Sequence, residues 1–70
     1  MPESICTIEA NQWYEHGYIY RDGVVIAYET DRKEQTYMEF GSQPAAHFIA
    51  DEKNPPEVRD WVRSRMQQAY

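Results

Sequence analysis

Seventy residues with a net charge of −5 suffice for one small domain with a modest core. Hydrophobic content of 41% and aromatic content of 14% favour folding over disorder, while an acidic chain repels the phosphates on which nucleic-acid affinity rests. Cys6 is the only cysteine, which excludes an intrachain disulfide and a cysteine-built zinc site.

The first ten residues, MPESICTIEA, lack the basic start and apolar run of a secretory signal. No apolar stretch approaches the ~20 residues that span a bilayer. One domain over residues 1–70 in the cytoplasm, with no membrane contact, is therefore expected. Charge is uneven: Glu3, Glu9, Glu15, Asp22 and Glu29 face only Arg21 in the first thirty residues, and most bases lie further on.

Ser4 to Ala10 alternates, with Cys6, Ile8 and Ala10 on one side and Ile5, Thr7 and Glu9 on the other, so a strand is expected after a frayed start at residues 1–4. Cys6 has no basic neighbour to lower its pKa and reads as a small buried hydrophobe rather than a catalytic thiol.

Trp13 to Phe40 carries the organising pattern, a three-stranded antiparallel meander. Asp22-Gly23 lies between runs rich in Tyr, Ile and Val and predicts a two-residue type I′ hairpin, whose central positions both need positive φ. That hairpin sets Arg21 opposite Val24, Tyr20 opposite Val25, Ile19 opposite Ile26, Tyr18 opposite Ala27 and His16 opposite Glu29. A three-residue second turn at Asp31-Arg32-Lys33 pairs Tyr28 with Thr36, Ile26 with Met38 and Val24 with Phe40. A loop of two or four residues exchanges the faces of the third strand.

In the three-residue register, one face carries Trp13, Ile19, Val24, Ile26, Tyr28, Met38 and Phe40 and is the expected core. The other carries Tyr14, His16, Tyr18, Tyr20, Val25, Ala27, Glu29, Gln35, Tyr37 and Glu39. Its tyrosines stand among carboxylates and form the expected contact surface.

Gly41-Ser42 is expected to end the third strand, with Ser42 capping a short helix that has Pro44 in its first turn and runs to about Lys53. A strand through His47-Phe48-Ile49 competes with it. Ala45, Phe48 and Ile49 share its inner side. Asn54-Pro55-Pro56-Glu57 predicts a second helix, with Asn54 as cap, Pro55 first and Glu57 completing a capping box, ending near Gln67 or Gln68. Val58, Trp61, Val62, Met66 and Ala69 make its apolar stripe, with Trp61 the expected principal anchor. Arg65 lies within that stripe, either snorkelling or paired with a sheet carboxylate such as Glu15. Arg59 and Arg63 form a solvated flank.

The expected fold class is therefore α+β: a small antiparallel sheet, the meander of residues 13–40 plus an N-terminal strand, packed on one face by one short and one longer C-terminal helix. Fold alone assigns no function. His16 beside Glu29 reads as a cross-strand pair rather than a proton carrier. His16 and His47 lack metal-ligand spacing, so no metal, cofactor or small-molecule substrate is expected. No glycine-rich phosphate loop, nucleophile motif or paired-acid site is present, which points away from an enzyme.

Tyrosine is large, stiff and polar at its tip, as a protein contact needs. Tyr14, His16, Tyr18, Tyr20, Glu29, Tyr37 and Glu39 are the expected partner-binding residues of a small acidic, non-catalytic module. By analogy with phage- or plasmid-type inhibitors, it would dock on a basic, nucleic-acid-binding protein surface. The alternatives are a nucleic-acid-binding domain that stacks bases on exposed sheet aromatics and a homodimeric structural or accessory protein.

Overall fold

The computed structural model describes residues 3–68. The fold is α+β. Strands β1 (Ser4–Ala10), β2 (Tyr14–Arg21), β3 (Val24–Asp31) and β4 (Thr36–Pro44) form one antiparallel sheet in the order β1-β2-β3-β4. Helices α1 (Ala45–Ala50) and α2 (Pro56–Gln67) follow. Expectations for Ala69 and for the first two residues fall outside the described part.

The first hairpin forms as its sequence requires. Asp22 and Gly23 have φ of 51° and 79°, and Arg21–Val24 through His16–Glu29 pair as expected. The second turn does not. It has four residues, 32–35, and pairs Asp31 with Thr36, Thr30 with Tyr37, Glu29 with Met38, Tyr28 with Glu39 and Ala27 with Phe40. The cause is Asp31, which stays in the strand while its Oδ1 accepts the backbone N–H groups of Lys33 and Glu34, both at 3.0 Å. Gln35 then closes the loop in the left-handed region, φ 56°. One extra loop residue exchanges the faces of β4 relative to β3.

β4 also continues past Gly41. Ala27 pairs with Phe40 but Val25 pairs with Gln43, so Gly41 and Ser42 together oppose Ile26. With Gly41 at φ 64°, this is a bulge of the glycine-first type. The strand bends there, runs on to Pro44 and enters α1 directly, so Ser42 is not a cap. The backbone N–H of Ala45, left unpaired by helix geometry, donates to the carbonyl of Gly23 at 2.9 Å. A second bulge lies in β1: Thr7 pairs with Gly17 and Glu9 with His16, leaving Ile8 as the extra residue. The simple alternation expected for that strand therefore switches sides at Ile8.

Both helices pack on one face. Val25, Ala45, Phe48, Val58 and Val62 form the buried cluster, and Cys6, Tyr18, Tyr20, Ile49, Trp61 and Met66 close around it. Tyr18 meets Phe48 edge-on, ring centres 5.2 Å apart. The helices thus cover the face expected to be open. Trp61 is only half-buried, and the fully enclosed anchors of α2 are Val58 and Val62. Asn54 does not cap α2; its Nδ2 donates to the carbonyl of Phe48 at 2.9 Å and finishes α1 instead. Pro55 precedes α2, and its carbonyl accepts from Val58 and Arg59. No side chain caps α2, so the box with Glu57 is not made. Arg59 is more than a solvated flank, because its Nε holds the carbonyl of Asn54 at 3.0 Å. Arg65 does not reach Glu15, which lies on the other sheet face and pairs with Arg32.

Candidate functional site

Register divides the seven expected contact residues into three groups. Tyr18 and Tyr20 go under the helices as part of the core. Tyr37 and Glu39 go to the opposite, open face, because the four-residue turn reversed β4. Tyr14, His16 and Glu29 remain on the helix-side face, in the rows beyond the helix-covered half. The expected core residues Met38 and Phe40 join them there and are 59% and 44% exposed. Trp13, also expected inside, precedes β2 and is 57% exposed.

The uncovered half of the helix-side face is therefore a shelf. One cross-strand row runs Glu9–His16–Glu29–Met38 over all four strands. Nε2 of His16 is 3.5 Å from Oε1 of Glu9, an ion pair only when the imidazole is protonated. The Tyr14 ring lies 5.3 Å from that of His16. Burial, and then the charge of Glu29, pushes the Tyr14 hydroxyl above its ordinary pKa, so it stays a neutral donor. The shelf thus combines two carboxylates with Tyr14, Met38 and Phe40.

The open face is occupied by its own side chains. Arg21 on β2 reaches across β3 to grip Glu39 on β4 with two bonds of 3.1 and 3.0 Å, and its Nε also binds Glu3. The Tyr37 hydroxyl donates to Glu39 at 2.7 Å. Hydrogen bonds from Arg21 and then Tyr37 hold the Glu39 carboxyl below its usual range, and Tyr37 is in turn pushed up to about 12 by Glu39. Next to this chain, Tyr28 donates to Glu15 at 2.7 Å and Arg32 binds the other oxygen of that carboxylate. These bonds, Tyr28's first, lower the pKa of Glu15. At its centre Ile19 and Tyr28 are 3% and 4% exposed, buried without a helix over them, while Ile5 and Tyr37 nearer its edges are 59% and 56% exposed.

Neither a protein-family model, nor a curated protein, nor a solved structure matches this chain. Function must be argued from its own surface.

A shallow depression of about 280 Å³ lies at the β4 bulge, lined by Ile26, Glu39, Phe40, Gly41 and Ser42. Its one charged group, Glu39, is already bound by Arg21 and Tyr37. Burial and the charge of Glu57 push the Cys6 thiol up, away from the nucleophilic thiolate. Among the described residues no cluster of three or more His, Cys, Asp or Glu side chains is placed to hold a metal, and no helix is long and apolar enough to cross a membrane.

Glu9, Met38 and Phe40 were missed in the sequence; Glu9 changes side at the Ile8 bulge, which no residue pattern in that strand announces, whereas Met38 and Phe40 change side with the second turn. The signal that could have found Met38 and Phe40 is Asp31: an aspartate ahead of Arg32-Lys33-Glu34 is suited to collect turn N–H groups, and that lengthens the loop.

Proposed function

We propose that this chain is a small, acidic, non-catalytic protein-binding module whose contact surface is the shelf of Glu9, Tyr14, His16, Glu29, Met38 and Phe40. The observation that carries this reading is the exposure of Met38 and Phe40 on the same face as Glu29 and His16, beyond the reach of the helices. Apolar side chains left in water beside carboxylates suit a partner that brings aliphatic or aromatic groups flanked by lysine or arginine. The net charge of −5 would steer such a partner in.

An inhibitor that masks a basic, nucleic-acid-binding protein in the cytoplasm is a role that matches this chemistry, and a lone protonated thiol suits a reducing compartment. Direct nucleic-acid binding is less well supported: Arg21 and Arg32, beside the open-face aromatics, are both engaged by carboxylates of this chain.

Immobilised chain and a Glu9→Lys/Glu29→Lys variant, exposed to the same cell extract, test the proposal. The expected result is a basic protein held by the unaltered chain, released as salt rises and not captured by the variant. Capture of the same protein by both, or of an acidic one, sinks the assignment.

A further inference from the structure

The two sheet edges are not equivalent. β1 is interrupted by the bulge at Ile8, and α2 packs beside it. β4 is unprotected from Thr36 to Phe40, where every residue is exposed. The segment TYMEF is rich in strand-favouring side chains and has no proline or lysine. Such an edge presents unpaired N–H and C=O groups and is a template for another strand.

We infer that β4 pairs antiparallel with β4 of a second copy, about a two-fold axis at Met38, giving a continuous eight-stranded sheet. Residues that face each other in a ladder point to the same side of the sheet. A two-fold axis through the sheet must therefore pass at a residue that faces its own copy.

The regular part of β4 selects which residue. It is bounded by two left-handed residues, Gln35 (φ 56°) and Gly41 (φ 64°), and its midpoint is Met38. Centring there uses all of Thr36 to Phe40, with Thr36 opposite Phe40 and Tyr37 opposite Glu39. Centring on Tyr37 sets Glu39 against Gln35 in the turn, and centring on Phe40 runs Met38 into the bulge. Centring on Glu39 puts two carboxylates face to face, which is destabilising. At Met38 each Glu39 instead meets a tyrosine, the partner it already accepts from within its own chain.

The arrangement is sterically open. Gln43, where the helix-covered half begins, lies five residues from Met38, about 16 Å along the strand. The two helix pairs then stand at opposite corners of one face, and the two shelves meet at the Met38 pair as a single trough. This pairing does not depend on the partner-binding proposal. The two also respond oppositely to salt: screening the like net charges strengthens self-association and weakens capture of a basic protein.

Two measurements test the pairing. Light scattering of the full chain across a concentration series should show the mass rising towards two chains, more readily at higher salt. Met38→Lys, which sets two lysines face to face at an exposed position, should give one chain at all concentrations with an unchanged circular dichroism spectrum. In a Cys6→Ala background, Met38→Cys should form a disulfide-linked dimer under mild oxidation, because directly facing Cβ atoms lie roughly 4.5–5.5 Å apart. Thr36→Cys should not, because its copy is displaced by four residues, about 13 Å. A single-chain mass throughout overturns the inference, as does a Met38→Lys variant that still dimerises. Cross-linking at Thr36 alone, at both positions or at neither overturns it as well.

Discussion

Tyr28 lies directly opposite Gly17, and its hydroxyl crosses β2 to stand 3.2 Å from Thr7 Oγ1 on β1. Between them, the close approach of β1 to β2 requires that Gly17 have no side chain. A Cβ there would lie 2.2 Å from the carbonyl oxygen of Cys6 and 2.9 Å from Cα of Thr7. The glycine lets β1 approach, and the tyrosine ring covers the gap on the open face.

Gly17→Ala should therefore be among the most damaging single substitutions. The obstruction is backbone, so β1 must move away and take Cys6 with it. A loss of about 3 kcal/mol or more is expected, at or beyond the upper end for overpacked sites, because the obstructing backbone cannot yield by a rotamer change. Tyr28→Phe should cost less, about 1–2 kcal/mol, for the lost hydroxyl bond to a carboxylate. Urea denaturation measures both; an alanine variant as stable as the parent refutes the close approach.

Left-handed residues give a paired prediction. Gly41→Ala should destabilise by about 1–2 kcal/mol through φ alone, since nothing lies within 4 Å of the added carbon. Gln35→Gly should act in the opposite sense, raising the thermal midpoint by a few degrees. Equal signs for the two would contradict the turn and bulge geometry.

Tyrosines separate the faces experimentally. Tyr18→Ser should cost about 2–3 kcal/mol, because Tyr18 packs on Phe48 within the helix-covered core. Tyr37→Ser, at a 56% exposed position, should cost clearly less, since it removes only a surface hydrogen bond to Glu39. Thermal melts of the two variants read this difference directly, and equal costs would restore the three-residue turn, which sets both tyrosines on one face.

Stability should fall on both sides of neutrality, with Glu39 at the centre of each limb. Its lowered pKa means that it stabilises the fold above its unfolded value, near ~4.3, and that this is lost as pH falls through the folded value. Glu15 behaves alike. Tyr37 has the opposite sign: raised to about 12, it contributes fully below its unfolded pKa and loses that contribution as pH climbs towards 12. Glu39→Gln removes the titrating negative charge that Arg21 and Tyr37 share and leaves only one acceptor oxygen between them, so its stability profile against pH should be shallower at each end. Parallel limbs in denaturation series would show that this chain of bonds does not couple to folding.

The sequence by itself determined what local chemistry controls. Asp22-Gly23 fixed one hairpin and with it the register of β2 against β3. The apolar period in residues 58–66 specified a helix and its inward valines. Alternation in residues 4–10 announced a strand. Tertiary structure alone decided which side of the sheet those helices would cover. A strand's two faces differ by a single residue of register, and for β4 against β3 that residue was set by where Asp31 placed its carboxylate. A bulge at Ile8 then changed sides within a strand that read as regular, and one at Gly41 carried β4 past the point where it was expected to end. Side-chain pattern reports that a strand has two faces; only the closed geometry of its turns says which one meets the core.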